Sequence, residues 1–194
     1  MADSSPIWPI LEALKDDDEL YVRRSVANNL NDIAKDHPDR VVSICLDWQK
    51  NKSAETDWII KHGTRTLVKQ GNPKVFQLLG FTPDPKVEFK NLTLSPKVKL
   101  GDSLDFSFDL KSESSKDQKI VIDFAIHHMK ANGKLAPKVF KLKNLDISTG
   151  ETINISKSHP IKKITTRKYY PGLHKLEILI NGQSKAIVDF ELEV

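Results

Sequence analysis

Apolar residues recur at intervals of three and four through the first 80 or so positions of the chain, then alternate one-in-two to the end. The texture changes near "GFTPDPKVEF", where Pro83 and Pro85 cannot continue a helix. The pattern predicts antiparallel helices over residues 6 to 81 and strands from 86 onward, with domains at 1–82 and 83–194. The first half contains an internal repeat: "LYVRRSVANNLNDIAK" aligns with "DWIIKHGTRTLVKQGN" at a spacing of 37 residues. Each copy is followed by a proline turn, "DHPD" or "GNPK", and then by an apolar segment. Helix pairs at this spacing are expected of HEAT-like repeats. "SPIWPILEALKDD" supplies a preceding helix, with Ser5 as its expected N-cap and Pro6 in its first turn. Two repeats are fewer than such stacks usually need, and Ile7, Trp8 and Leu11 are expected to be left partly uncovered.

The second half predicts seven short strands, the second alternating at Leu104, Phe106, Phe108 and Leu110 and the last at Ala186, Val188, Phe190 and Leu192. Asn132-Gly133 and Asn181-Gly182 are hairpin-turn sequences. Seven strands over this length suggest an immunoglobulin-like sandwich. "YYPGLHKLEI" is similar to the corner before the sixth strand of such domains, with His174 where a tyrosine is often found. The fold class expected is therefore multidomain α and β, HEAT-like helical repeats followed by an immunoglobulin-like β-sandwich.

On a helical wheel, Trp58, Lys61, His62, Arg65 and Lys69 fall within about one quadrant, opposite Ile59, Ile60, Gly63 and Leu67. In the 37-residue register the preceding repeat shows Tyr21, Arg24, Ser25, Asn28 and Asp32 in a matching stripe. Solubility alone does not call for a tryptophan among cations. Parallel stripes, one mostly neutral and one cationic, suit the backbone of duplex DNA.

Charge adds a second clue. The net charge of +4 divides into −2 for residues 1 to 84 and +6 for residues 85 to 194. "KANGKLAPKVFKLK" (130 to 143) holds five lysines and no acid, and "KSHPIKKITTRK" (157 to 168) adds four lysines and Arg167. Lying on one edge they would extend a phosphate-binding surface, or they would simply guard an edge strand against aggregation. Cys45 is the only cysteine, so neither an internal disulfide nor a cysteine-rich metal site is expected. His127 and His128 should point to opposite faces of one strand and not form a metal pair. No apolar run approaches membrane-spanning length and no signal peptide is recognisable, so a cytoplasmic protein without cofactor or metal is expected.

"YVRRSVANNLNDIAKDHP" followed by "DWIIKHGTRTLVKQGNP" resembles the DNA alkylation repair glycosylases of the AlkC/AlkD superfamily, and most of all its AlkC branch. Some members of that branch carry a C-terminal immunoglobulin-like domain, to which "KVFKLKNL…ISTGETINISKSHPIKKITTRKYYPGLHKLEILING" is similar. The family usually builds its DNA-binding concavity from about six repeats, so two repeats resemble the C-terminal portion of such an enzyme, with upstream repeats on a separate chain as one arrangement. The resemblance implies binding of double-stranded DNA containing alkylated bases and hydrolysis of the N-glycosidic bond of cationic N-alkylated bases.

Such chemistry requires little apparatus: a cationic base is already a good leaving group, and a carboxylate can stabilise the oxocarbenium-like sugar and orient water. Asp32 is the only acid on the two stripes and the expected catalytic residue. Its structural alternative is an ion pair with Lys35 or Lys69. Arg24, Asn28, Trp58, Lys61, His62, Arg65 and Lys69 are the expected DNA-binding residues. A noncatalytic DNA-binding module and a protein-interaction scaffold are the two other functions compatible with these residues.

Overall fold

The computed structural model describes residues 5–51 and 53–194, and the chain divides into two compact units between Gly80 and Phe81. In the first, a short 3-10 turn (Ser5–Ile7) runs into α1 (Trp8–Leu14), followed by α2 (Leu20–Asp36) and α3 (Pro38–Trp48). A second 3-10 turn (Gln49–Asn51) precedes α4 (Ala54–Gly63), α5 (Arg65–Lys69) and α6 (Pro73–Leu78). Pro9, Pro38 and Pro73 sit in first turns, where a missing N–H costs nothing. Helix α4 opens with a capping box, the Thr56 amide donating to Ser53 Oγ and the Ser53 amide to Thr56 Oγ1, both at 3.0 Å. Asn72 caps α6 by accepting from the amides of Lys74 and Val75. The expected cap at Ser5 lies instead in the 3-10 turn, and Ile7 holds the cap position of α1.

The apolar stripes meet in one core containing Val26 and Leu30 of α2, Val41 and Cys45 of α3, Ile59 and Ile60 of α4, Leu67 and Val75. Burial pushes the Cys45 thiol up to about 12, so it stays protonated as a core residue. Leu11 is buried there as well, contrary to expectation, because α1 turns that side inward; Ile7 and Trp8 are half-buried and Ile10 is exposed.

The second repeat is not one helix. Where α2 runs unbroken for 17 residues, its counterpart breaks at Thr64, whose backbone leaves the helical region and whose hydroxyl donates to the Ile60 carbonyl at 2.7 Å. Gly63 marks the closest approach of α4 to α2. A Cβ built there would lie 2.9 Å from Leu30 Cβ, and Leu30 is fully buried. Gly63→Ala should therefore force the two helices apart and destabilise this unit by about 1–3 kcal/mol. Urea unfolding followed by tryptophan fluorescence checks this, since all three tryptophans lie in the first unit.

The second unit is a two-sheet sandwich. Its strands are β1 (Val87–Leu94), β2 (Lys97–Lys99), β3 (Ser103–Ser112), β4 (Gln118–Met129), β5 (Leu135–Ile147), β6 (Thr152–Pro160), β7 (Gly172–Ile180) and β8 (Gln183–Glu193). They form a three-stranded sheet ordered β1-β3-β6 and a five-stranded sheet ordered β2-β8-β7-β4-β5. The sequence pattern predicts seven strands; the eighth, β2, is three residues long and pairs parallel with β8, too short to show alternation. Leu104, Phe106, Phe108 and Leu110 of β3 face Ile120, Ile122, Phe124 and Ile126 of β4 across the core, with Leu176, Ile178 and Phe190. Asn181 and Gly182, both at positive φ, make the two-residue hairpin between β7 and β8. Asn132-Gly133 sits in a longer connection, 130–134, between the paired residues Met129 and Leu135.

His174 fills the corner position: its Nε2–H donates to the Tyr170 carbonyl at 3.0 Å, the bond a tyrosine hydroxyl makes at such a corner. Burial holds His174 below the ordinary histidine range. Burial pushes His128 down to about 3, with Arg167, His174, His159 and Lys138 adding to it, and burial followed by Lys157, Lys138 and Arg167 depresses His159. All three bind protons less readily in the fold than in the unfolded chain, so below about pH 6.5 the unfolded chain binds more protons and stability rises with pH. The urea midpoint of the sandwich, followed by NMR resonances of its core, should fall between pH 7.5 and pH 5.0. Asp84, Glu88 and Asp109, which nearby cations or amides hold below the carboxylate range, add their loss only below about pH 4.5. His159→Gln should flatten the dependence.

Candidate nucleic-acid interface

The outward side of α2 carries Tyr21, 80 % exposed, with Arg24, Ser25, Asn28 and Asp32 in line below it. Lys61 and His62 project from the end of α4, Arg65 and Lys69 from α5, all four exposed. Packing of α2 against α4 through Leu30 and Gly63 sets the two stripes side by side. Asn28 and Arg65 are equivalent in the 37-residue register, and the Arg65 guanidinium donates to Asn28 Oδ1 at 3.1 Å. Arg65 also donates to the His62 carbonyl at the end of α4, so the helix break is what anchors this arginine. Burial, then Arg65, Lys61 and Arg24, hold His62 below the ordinary histidine range. Charges from both stripes thus converge on one imidazole.

Trp58 does two things. It packs on the edge of the helical core, half-buried, and its ring lies 4.0 Å from that of His62, tilted by 34°. The tryptophan among cations therefore presents only part of its surface outward, as a flank to the imidazole.

Asp32 is exposed and pairs with Lys35 one turn along, Oδ1 to Nζ 2.7 Å. Of the two partners the sequence allows, Lys35 is the one in contact. Lys35, and to a smaller extent Arg65, hold its carboxyl below the ordinary carboxylate range. The group is an anion at neutral pH, in the field of an arginine that also touches Asn28.

Asn31, which the sequence reading passed over because it falls on the inward side of α2, is 5 % exposed. Its Oδ1 accepts the Thr66 amide at 3.2 Å. The break at Thr64 leaves the first amides of α5 without intrahelical acceptors, and Asn31 supplies one from the neighbouring helix. Asn31 thus fixes the segment bearing Arg65 and Lys69. Asn31→Ala should cost about 1–3 kcal/mol by stranding a buried donor, and amide exchange at Thr66 should accelerate.

In the second unit the two basic segments come together. Lys130 and Lys138 of the β4–β5 hairpin and Arg167 and Lys168 of the β6–β7 connection line one cleft of about 380 Å³, with His128 in its wall. Arg167 donates to His128 Nε2. β5 is also an edge strand, so its lysines guard an edge as well. His127 lies on the opposite face of β4 and pairs with Glu177 at 2.7 Å. No cluster of three metal-ligating side chains occurs among the described residues, nor a helix long and apolar enough to cross a membrane.

Residues 88–194 match the family described as "Uncharacterised protein YhaZ, C-terminal Ig-like domain". The chain belongs to this YhaZ family. The YhaZ protein of Bacillus subtilis (strain 168) is 43 % identical over 192 residues, which are 98 % of this chain and 53 % of that protein. A Pseudomonas fluorescens alkylpurine DNA glycosylase, AlkC, solved bound to DNA containing an abasic site analog, is 40 % identical with a TM-score of 0.95. That match covers 99 % of this chain and 54 % of the AlkC chain. A β-glucosidase from Listeria innocua, 17 % identical with a TM-score of 0.50 over 58 % of this chain and 17 % of its own, shares fold alone. The chain spans about half the length of the YhaZ and AlkC proteins it matches.

Proposed function

We propose that this YhaZ-family chain is a DNA alkylation repair protein that binds duplex DNA through the paired stripes of α2 and α4–α5. The observation that carries this reading is the 40 % identity and TM-score of 0.95, over nearly the whole chain, to a glycosylase held on DNA. The cationic stripe supports it: Arg24, Lys61, Arg65 and Lys69 are exposed along adjoining helices, available to a phosphate backbone. Asn28 orients Arg65, and His62 and Trp58 form an aromatic flank able to lie against sugar. A cytoplasmic location suits such a partner.

In the finer reading, Asp32 serves the hydrolysis of the N-glycosidic bond of a cationic N-alkylated base. Its carboxylate, kept ionised by Lys35, would stabilise the developing sugar cation while the neutral base departs. The Asp32–Lys35 ion pair on an open surface also favours a second reading, a noncatalytic DNA-binding module, because an engaged and solvated carboxylate is a weak electrostatic catalyst. A pocket for a damaged nucleotide needs walls, and two repeats supply one; this chain by itself is expected to cleave little.

Two measurements test these readings. Arg65→Ala and Lys69→Ala should each weaken duplex binding and reduce its salt slope by about one; an unchanged slope in both would point instead to a protein-interaction scaffold. Where excision of an alkylated base is measurable, with or without added repeats, Asp32→Asn should remove most of the rate while leaving DNA binding intact or tighter. Undiminished excision by a folded Asp32→Asn variant would take Asp32 out of the chemistry.

A further inference from the structure

The cleft between the β4–β5 hairpin and the β6–β7 connection gathers cations from two separate connections of the sandwich. Some lysines of this unit sit against carboxylates, as Lys86 does with Asp84, Lys90 with Glu88, Lys97 with Glu191 and Lys175 with Asp189. Around the cleft, Lys130, Lys138, Arg167 and Lys168 converge, and among the described residues none of the four is paired with a carboxylate. Like charges gathered without counter-charge repel one another, and a bound anion relieves that repulsion.

The way Arg167 is held points in the same direction. Its guanidinium donates through Nη1 to His128 Nε2, so that nitrogen is an unprotonated acceptor and the imidazole is neutral. The depressed affinity of His128 for protons agrees with this. An aspartate in that place would orient Arg167 equally well but cancel its charge; a neutral histidine orients it and leaves the charge available. The remaining N–H groups of the planar fork suit two oxygens of one phosphate. Tyr169 lies under the guanidinium, 5.7 Å from ring centroid to Cζ, which further restricts its plane.

Shape narrows the ligand. The phosphates of duplex DNA run along a convex ridge and call for an open face, whereas this is a concave site of about 380 Å³, within the range of small-ligand pockets. Met129 and Pro137 add apolar wall beside the cations. A phosphomonoester carries a charge of roughly −1.5 to −2 at neutral pH, more than an internal phosphodiester, and has three free oxygens to offer several cations at once.

We propose that this cleft binds a phosphomonoester, carried by a free nucleoside monophosphate or by the 5′-phosphorylated end of a nucleic-acid strand. The site is independent of the helical stripes, and its test can fail without touching them. Full-length protein is titrated with thymidine 5′-monophosphate, and with single-stranded oligothymidylates bearing a 5′-phosphate or a 5′-hydroxyl; a hydroxyl-ended duplex separately reports the helical stripes. The phosphorylated strand should bind about tenfold more tightly than the hydroxyl-ended one, or the monophosphate should bind while thymidine does not. The first outcome identifies a strand end as the source, the second a free nucleotide. Either preference should be lost in Arg167→Gln and reduced several-fold in Lys138→Gln, a solvent-facing change that leaves the fold intact. Equal binding of both strand ends together with no binding of the monophosphate, or a preference that survives both substitutions, overturns the proposal.

Discussion

The approach of α4 to α2 at Gly63 is the contact on which the helical surface depends. A side chain larger than hydrogen would meet Leu30 Cβ, so the helices close to a distance that only glycine permits at that point. From that closeness follow the alignment of the two stripes, the reach of Arg65 to Asn28, and the reach of Asn31 to the Thr66 amide. The break after Gly63 is part of the same arrangement. It frees a backbone amide that Asn31 of α2 then satisfies, while Asn28 of the same helix holds the Arg65 side chain.

Both units hold an arginine with neutral acceptors rather than with a carboxylate. On the helices, Asp32 is occupied by Lys35 while Arg65 is tethered by the neutral Asn28 and by a backbone carbonyl. In the sandwich, Arg167 is tethered by a neutral imidazole. In each case a neutral acceptor removes conformational freedom from a guanidinium without discharging it. An arginine so held forfeits less entropy when it meets a phosphate than a free one would.

That economy has a consequence for stability. Burial lowers the proton affinity of His128, His159 and His174, and for His128 and His159 Arg167 and nearby lysines lower it further. The rim's charge helps keep His128 an acceptor, and His174 closes the corner with a hydrogen bond that needs a proton on Nε2 only.

Much of this was written in local patterns. Period-three-and-four apolar spacing fixes which sides of α2 and α4 are buried; alternation fixes the inward face of β3 and, in β8, that of Phe190 and Leu192 but not Val188, which is exposed; Asn181-Gly182 specifies its hairpin. All of these depend on residues a few positions apart, so the chain alone determines them. The 37-residue repeat likewise makes Asn28 and Arg65 equivalent positions of neighbouring helices. What the sequence left open depends on partners far apart in the chain. The break at Thr64, the three-residue β2, the inward turn of Leu11, and the meeting of Lys130 and Lys138 with Arg167 and Lys168 were decided only when distant segments packed. A helix break or an ion pair is chosen by which neighbour supplies the missing acceptor or charge, and that neighbour exists only in the folded chain.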